Sequence, residues 1–234
     1  MRTFKTVFFL VLAVGILVSA CAENSSNKNN TKEVKEDKIM ENQEVIKLST
    51  PDLERGVNVM KALNIRKSVR EYGDKELGLS DLSDLLWAAN GINRPELGKR
   101  TAPSAVNAQD IDIYVCMKDG AYLYDAKENS LKRITTEDLR PAVAGGQDFV
   151  KEAPVSVVLV SDISRFPGED VQRKTLMGAM DAGIVSENIS LFCASVGLET
   201  VPRASMDAES LKKSLVLTDS QIPLMNHPVG YTKE

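Results

Sequence analysis

Three stretches of this 234-residue chain combine hydrogen-bonding groups at spacings that could do chemistry. In RKSVREY, Arg66, Ser68 and Arg70 alternate just past a helical pattern. Alternation puts all three on one side of an extended chain. Two guanidiniums and a hydroxyl there suit a phosphate, or they form a solvated basic turn. In RTAPSAVNAQ, Pro103 stiffens the backbone, and Ser104, Asn107 and Gln109 can present donors and acceptors to the edge of a planar heterocycle. The alternative is a capped turn before the strand IDIYVCM. In GLETVPRASMD, a turn at Pro202 with small residues Ala204 and Ser205 lets the N–H groups of 203–205 approach a ligand closely, or merely joins two elements. At the C-terminus, Lys233 is either another phosphate charge or part of a frayed tail.

Other chemistries lack material. The single histidine, His227, precedes Pro228 and reads as a surface or strand-end residue, so neither a Ser-His-Asp triad nor a histidine-rich metal site is indicated. There is no G-x-G-x-x-G after a strand and no P-loop. Acidic residues gather at helix starts, where capping accounts for them. An enzyme of this composition would leave its reaction to a bound cofactor. A net charge of −4 without a basic cluster argues against a nucleic-acid partner. Cys116 and Cys193 form no C-x-x-C pair and read as buried free thiols, with a disulfide open to them after export.

The elements that must position these groups follow from pattern. Residues 1–20 have a charged start, an apolar middle and small residues before Cys21, which make an export signal. The ending VSAC resembles the lipobox of bacterial lipoproteins, in which Cys21 would be acylated and tie the chain to a membrane in the cell envelope. A plain signal peptide or an uncleaved anchor helix are the alternatives. Residues 21–47, rich in Asn, Ser, Lys and Glu, read as a disordered tether. The domain is placed at 48–234. Its first helix is expected from Thr50 as cap and Pro51 at the first position, with Leu53, Val57, Met60 and Leu63 on one face. A second helix has Ser80 as cap, a stripe of Leu82, Leu85, Leu86 and Ala89, and Gly91 as its end. IDIYVCM and AYLYDA read as a hairpin around Lys118-Asp119-Gly120, and Thr136 as the cap of a short helix. PVSVVLVSD reads as a strand buried on both faces, and residues 169–196 as a central buried helix ended by Gly197. A short segment ETVPR, a helix capped by Asp207 and a last, edge-like strand QIPLMNHPVGY with two prolines complete a mixed α+β order.

Together the motifs resemble the nitroreductase family of FMN-dependent flavoproteins, over roughly residues 50–232 and in the family's order. RKSVREY is similar to its phosphate-binding R-x-S-x-R element and PSAVNAQ to its P-S-x-x-N-x-Q element. DAGIVSENISLFCASVGLETVP is similar to its long central helix and the loop beneath the flavin. WAANGIN resembles the branch that includes SagB-like oxidoreductases. The resemblance implies a central mixed or antiparallel sheet flanked by helices, a homodimer, and FMN. Arg66, Ser68 and Arg70 would hold the phosphate and pyrimidine edge. Pro103, Ser104 and Asn107 would contact the isoalloxazine and ribityl from the partner subunit, with Gln109 ordering the turn. Pro202 and the N–H groups of Arg203, Ala204 and Ser205 would face flavin N5, and Lys233 would stand in for a basic residue near the phosphate. The family's turn usually carries a glycine where this chain has Ala204 and Ser205, and the C-terminal arm is short. The implied reaction is ping-pong electron transfer from a reduced nicotinamide or a membrane carrier to a nitroaromatic, quinone or similar acceptor. The residues choosing that acceptor would lie in 89–100 and 140–152, where Gly91, Asn93, Arg94 and Arg100 could line an entrance. A lipid-anchored binding domain with weakened flavin affinity is the non-enzymatic alternative.

Overall fold

A computed structural model describes residues 44–233; the export signal, Cys21, most of the tether and Glu234 lie outside them. The sheet is built on the two most apolar segments. β4 (Ile111–Met117) and β7 (Val155–Asp162) pair antiparallel from Ile111 opposite Ser161 to Cys116 opposite Ser156. Both are buried on both sides. Ile113, Val115, Val157 and Leu159 enter one core, and Tyr114, Cys116, Val158 and Val160 the other. Alternation of side chains across a strand requires this split.

Around that pair the strands run β1 (Val45–Lys47), β6 (Ser130–Thr135), β5 (Gly120–Asp125), β4, β7, β9 (Gln221–Tyr231), β8 (Leu198–Thr200), every neighbour antiparallel. The expected hairpin is present, with Met117 opposite Gly120. β9 was expected at the edge but lies second from it: β8 covers its Val229–Tyr231 end and Arg203 bridges Asn226, so only its first residues are open on that side. Pro223 falls at a register shift and Pro228 lies opposite Ser156.

One face of the sheet carries α2 (Leu79–Asn90) and the 26-residue α5 (Val171–Val196); the other carries α3 (Arg140–Ala144), α4 (Phe149–Glu152) and α6 (Ala208–Ser214). α2 buries the expected stripe of Leu82, Leu85, Leu86 and Ala89, and Gly91 ends it. α5 starts with Asp170, whose carboxylate accepts the Arg173 N–H, and ends at Gly197 in the left-handed region, with φ 79°. A separate two-stranded hairpin, β2 (Ile92–Arg94) and β3 (Lys99–Arg100), follows α2.

Several expectations need correction. Val45–Lys47 leave the tether and extend the sheet, because Val45 to Lys47 find unpaired backbone on β6. β6 itself is absent from the sequence-derived order; its polar residues pair on both sides rather than packing into a core. The first helix, α1, spans only Val59–Ile65 and is capped by Asn58, not Thr50. Residues 49–55 are held along α2 instead: Ser83 Oγ and an Asp84 oxygen accept the N–H groups of Ser49 and Asp52, and Arg55 forms ion pairs with Asp81 and Asp84. Gly78 and Leu139 occupy the cap positions expected of Ser80 and Thr136. α5 is not buried all round either. Gly178, Asp181, Ala182, Val185, Ser186, Ile189, Ser190 and Cys193 face the sheet, while Leu176, Met180 and Ile184 are exposed.

Candidate active site

RKSVREY runs as irregular chain after α1. The Val69 N–H donates to Thr200 O, laying the segment beside β8, and Lys67 lines a cavity with Cys193, Gly197, Glu199 and Thr200. Arg66, Ser68 and Arg70 take the other positions. Their side chains make no hydrogen bond or ion pair among the described residues. Arg66 also closes α1, its N–H donating to Ala62 O. Three exposed or half-exposed donors without partners are what an anion requires.

The turn after Val201 comes to the same end of the molecule, since the Val69 N–H is bonded to Thr200 O. Here one expectation fails. The Arg203 N–H is not available to a ligand, because Asn226 O accepts it at 2.9 Å and the Asn226 N–H returns the bond at 2.7 Å. Its guanidinium points inward, donating to Val143 O, Ala144 O, Gln147 Oε1 and Asn226 Oδ1, beneath the Phe149 ring. Burial lowers the Arg203 pKa from its ordinary value, with Arg70 pushing the same way. Arg203 is thus the post that holds the turn. Pro202 is half-exposed, and Ala204 and Ser205 are exposed with N–H groups unbonded among the described residues. Lys233 is exposed two residues after Tyr231, whose carbonyl accepts the Gly73 N–H; it therefore lies at the same end as Arg70.

The Pro103–Gln109 loop is built differently. Val106, Asn107 and Gln109 all have positive φ, at 48°, 55° and 49°. For a β-branched residue this is strained backbone, which persists only where surroundings over-determine it. They do. Asp181 on α5 accepts the Ala105 N–H with both carboxylate oxygens, at 2.8 and 3.0 Å. Ser104 Oγ accepts the Gln109 N–H at 2.8 Å. The Gln109 side chain accepts from Arg100 Nε and donates to Gly98 O, so it orders the turn as expected. Pro103 and the Asn107 side chain remain exposed. Of the entrance candidates, Arg100 braces this loop and Asn90 O, Arg94 donates to Asn93 and Arg100 O, and Gly91 ends α2.

The two halves do not meet within one chain. One is clasped at Asp181 and the other lies against Cys193, twelve residues further along α5, or about 18 Å at helical rise.

Sequence reasoning missed Asp181, whose signal was a lone acid in the small and apolar run LMGAMDAGI. It misplaced His227, which is fully buried and not at the surface. Ser186 Oγ lies 2.7 Å from Nε2 and Thr200 Oγ1 3.1 Å from Nδ1, and burial depresses its pKa to about 3. Cys116 and Cys193 are buried free thiols, as expected, and burial raises both pKa values.

With this geometry, the comparisons converge. Residues 63–231 match the Nitroreductase family. A Methanocaldococcus jannaschii protein named as a nitroreductase is 30% identical over 196 residues, covering 80% of this chain and 97% of its own. The NAD(P)H FMN reductase of Bacillus subtilis is 25% identical, covering 74% of this chain and 65% of its own. The solved structure of a Ralstonia eutropha protein named as a nitroreductase superposes with a TM-score of 0.77 at 36% identity, covering 82% of this chain and 91% of that one. The chain belongs to the nitroreductase family, and its α+β fold with an antiparallel sheet between helices is that family's fold.

Proposed function

We propose that the chain is an FMN-dependent oxidoreductase whose two flavin sites form between the copies of a homodimer. One observation carries this reading: unpartnered donors at one end of α5 and a strained, braced loop about 18 Å away suit a site completed by a second copy. Exposed apolar side chains, Leu53, Met60 and Leu63 in the N-terminal segment and Leu176 and Met180 on α5, supply apolar surface that such a contact can bury.

The residues present fit the cofactor. Arg66, Ser68 and Arg70 hold the phosphate and the pyrimidine edge, and Lys233 adds charge. Pro103, Ser104 and Asn107 of the second copy press on the ring and ribityl. The Ala204 and Ser205 N–H groups, unbonded among the described residues, would be free to donate to the flavin ring. When bound, FMN supplies the two-electron chemistry. The protein orients the donor and acceptor in turn over one face and excludes water, without an acid or base of its own. The donor is a reduced nicotinamide or, if Cys21 is acylated and the chain is an envelope lipoprotein, a membrane carrier. The acceptor is a nitroaromatic, quinone or similar electron-poor compound.

The test is the visible spectrum of the full chain after FMN is added and the excess removed. A stoichiometric flavin spectrum, lost in Arg66→Ala and Asn107→Ala, supports the reading. A folded, colourless protein overturns it in favour of a lipid-anchored binding domain, the reading favoured by the commitment of the Arg203 N–H to Asn226.

A further inference from the structure

The Ala105 N–H is the one amide of the Pro103–Gln109 loop that bonds to α5, and its acceptor, Asp181, is only 3% exposed. Against Asp181 stands a second carboxyl, Asp110, fully buried at the loop's end. Ser161 Oγ donates to Asp110 Oδ2 at 2.5 Å. Asp110 Oδ1 has no hydrogen-bond partner among the described residues. A buried carboxylate oxygen left unpaired beside a second carboxylate is costly, and one proton on it removes both costs.

We propose that Asp110 keeps its proton and donates it in a hydrogen bond to Asp181, the two acting as positioning residues, a latch that holds the Pro103–Gln109 loop in its strained shape against α5. Ser161 O–H donates to Asp110, the protonated Asp110 donates to Asp181, and Asp181 accepts the Ala105 N–H. Loss of the proton places two carboxylates in contact, and their repulsion withdraws Asp181 from Ala105. The strained residues Val106, Asn107 and Gln109 then relax.

The surroundings offer no charge to substitute for that proton. From β7 the cluster meets only the Ser161 hydroxyl. Asp112 on β4 pairs with Arg165, which is further committed to Gln109 O and Asp162. Arg100 of the hairpin is committed to Gln109 Oε1 and Asn90 O, and Asn90 on α2 donates to Ile111 O. From α5 the neighbour is Gly178, where a Cβ would stand 2.3 Å from Ser161 Oγ and 3.4 Å from Asp110 Oδ2. The missing side chain lets the three groups close up. Burial and Asp181 push the Asp110 carboxyl up to about 7 against the Ser161 hydrogen bond, so the latch opens near neutral pH.

The link to cofactor binding rests on the proposed flavin site, so the test has two readouts. The first needs no flavin: hydrogen exchange of the 104–109 amides in the full chain, corrected for the intrinsic pH dependence, at pH 6 and pH 8.5. The latch predicts at least tenfold lower protection at pH 8.5. The second is the FMN dissociation constant at both pH values by fluorescence quenching, expected to rise in parallel. Asp110→Asn keeps a neutral donor toward Asp181 and should abolish both steps. Ser161→Ala removes a bond that favours the ionised form and should move the step to higher pH. Asp181→Ala should show low protection at both pH values. An exchange step absent from the unaltered chain, or retained in Asp110→Asn, overturns the latch. Absence of FMN binding at every pH with the exchange step intact overturns only the flavin reading.

Discussion

The Arg66–Arg70 strip and the Pro103–Gln109 loop flank the same proposed cofactor, yet they are opposite solutions. The strip is relaxed backbone laid along β8, with three donors bonded to nothing among the described residues. The loop has three residues in the left-handed region and is braced by bonds to Asp181, Ser104, Arg100 and Gly98, while Pro103 and the Asn107 side chain stay exposed. The strip stores binding capacity and contributes little to stability. The loop stores shape, which the rest of the fold maintains at a cost of order 1–3 kcal/mol per strained residue. A charged ligand group can be caught by flexible donors, whereas a flat ring needs a surface whose contour is set beforehand.

Four variants test that contrast. Arg66→Ala should give the largest effect, an FMN affinity lower by about 10–100-fold in a fluorescence titration, since a charge-assisted bond is worth about 1.5–3 kcal/mol. Its unfolding midpoint should stay unchanged, as no described residue bonds that guanidinium. Ala105→Pro removes the donor to Asp181 and should cost about 1–3 kcal/mol in urea unfolding, because it leaves a buried acceptor unmatched. If the loop were merely a passive connection, Ala105→Pro would be neutral.

Asp110 and His227 oppose each other in their pH dependence. Asp110, raised from 3.8 to about 7, is protonated only in the folded state between those values, so its contribution is lost as pH rises through that range. His227, lowered from 6.5 to about 3, is protonated only in the unfolded state, so its contribution is lost as pH falls. Between about pH 4 and 6.5 the two slopes cancel. Asp110→Asn should leave the histidine's slope alone, so that stability rises with pH by up to about 1.4 kcal/mol per unit in denaturant titrations. The smallest effect belongs to Val106→Gly. It relieves a left-handed conformation costing about 1–2 kcal/mol and gives back about 0.5–1 in chain entropy, for a net gain near 0.5 kcal/mol in thermal unfolding. FMN affinity should fall nonetheless, because the loop loses its set shape.

Much of this was legible in the chain. The α2 stripe, the β4–β5 hairpin, the apolar run of β7 and the end of α5 at Gly197 depend on neighbours a few residues apart, which pattern reports directly. So do the three motifs. What escaped depended on distant partners. β1 and β6 are strands because each finds the other's edge, not because their own residues demand it. The first helix was drawn too long because Ser83, Asp84 and Asp81 hold residues 49–55 from α2.

The sequence by itself determined the family, the order of elements around the sheet's centre and the residue types offered to a phosphate and a ring. Short-range periodicity and motif spacing carry that information. Only the tertiary structure decided which groups are already engaged. It turned Arg203 inward onto Asn226 and the α3 carbonyls, buried His227 between Ser186 and Thr200, and set Asp110 against Asp181 beneath the strained loop. A side chain's type states what it can bond. Whether that capacity is free or engaged depends on what the folded chain brings within about 3 Å of it.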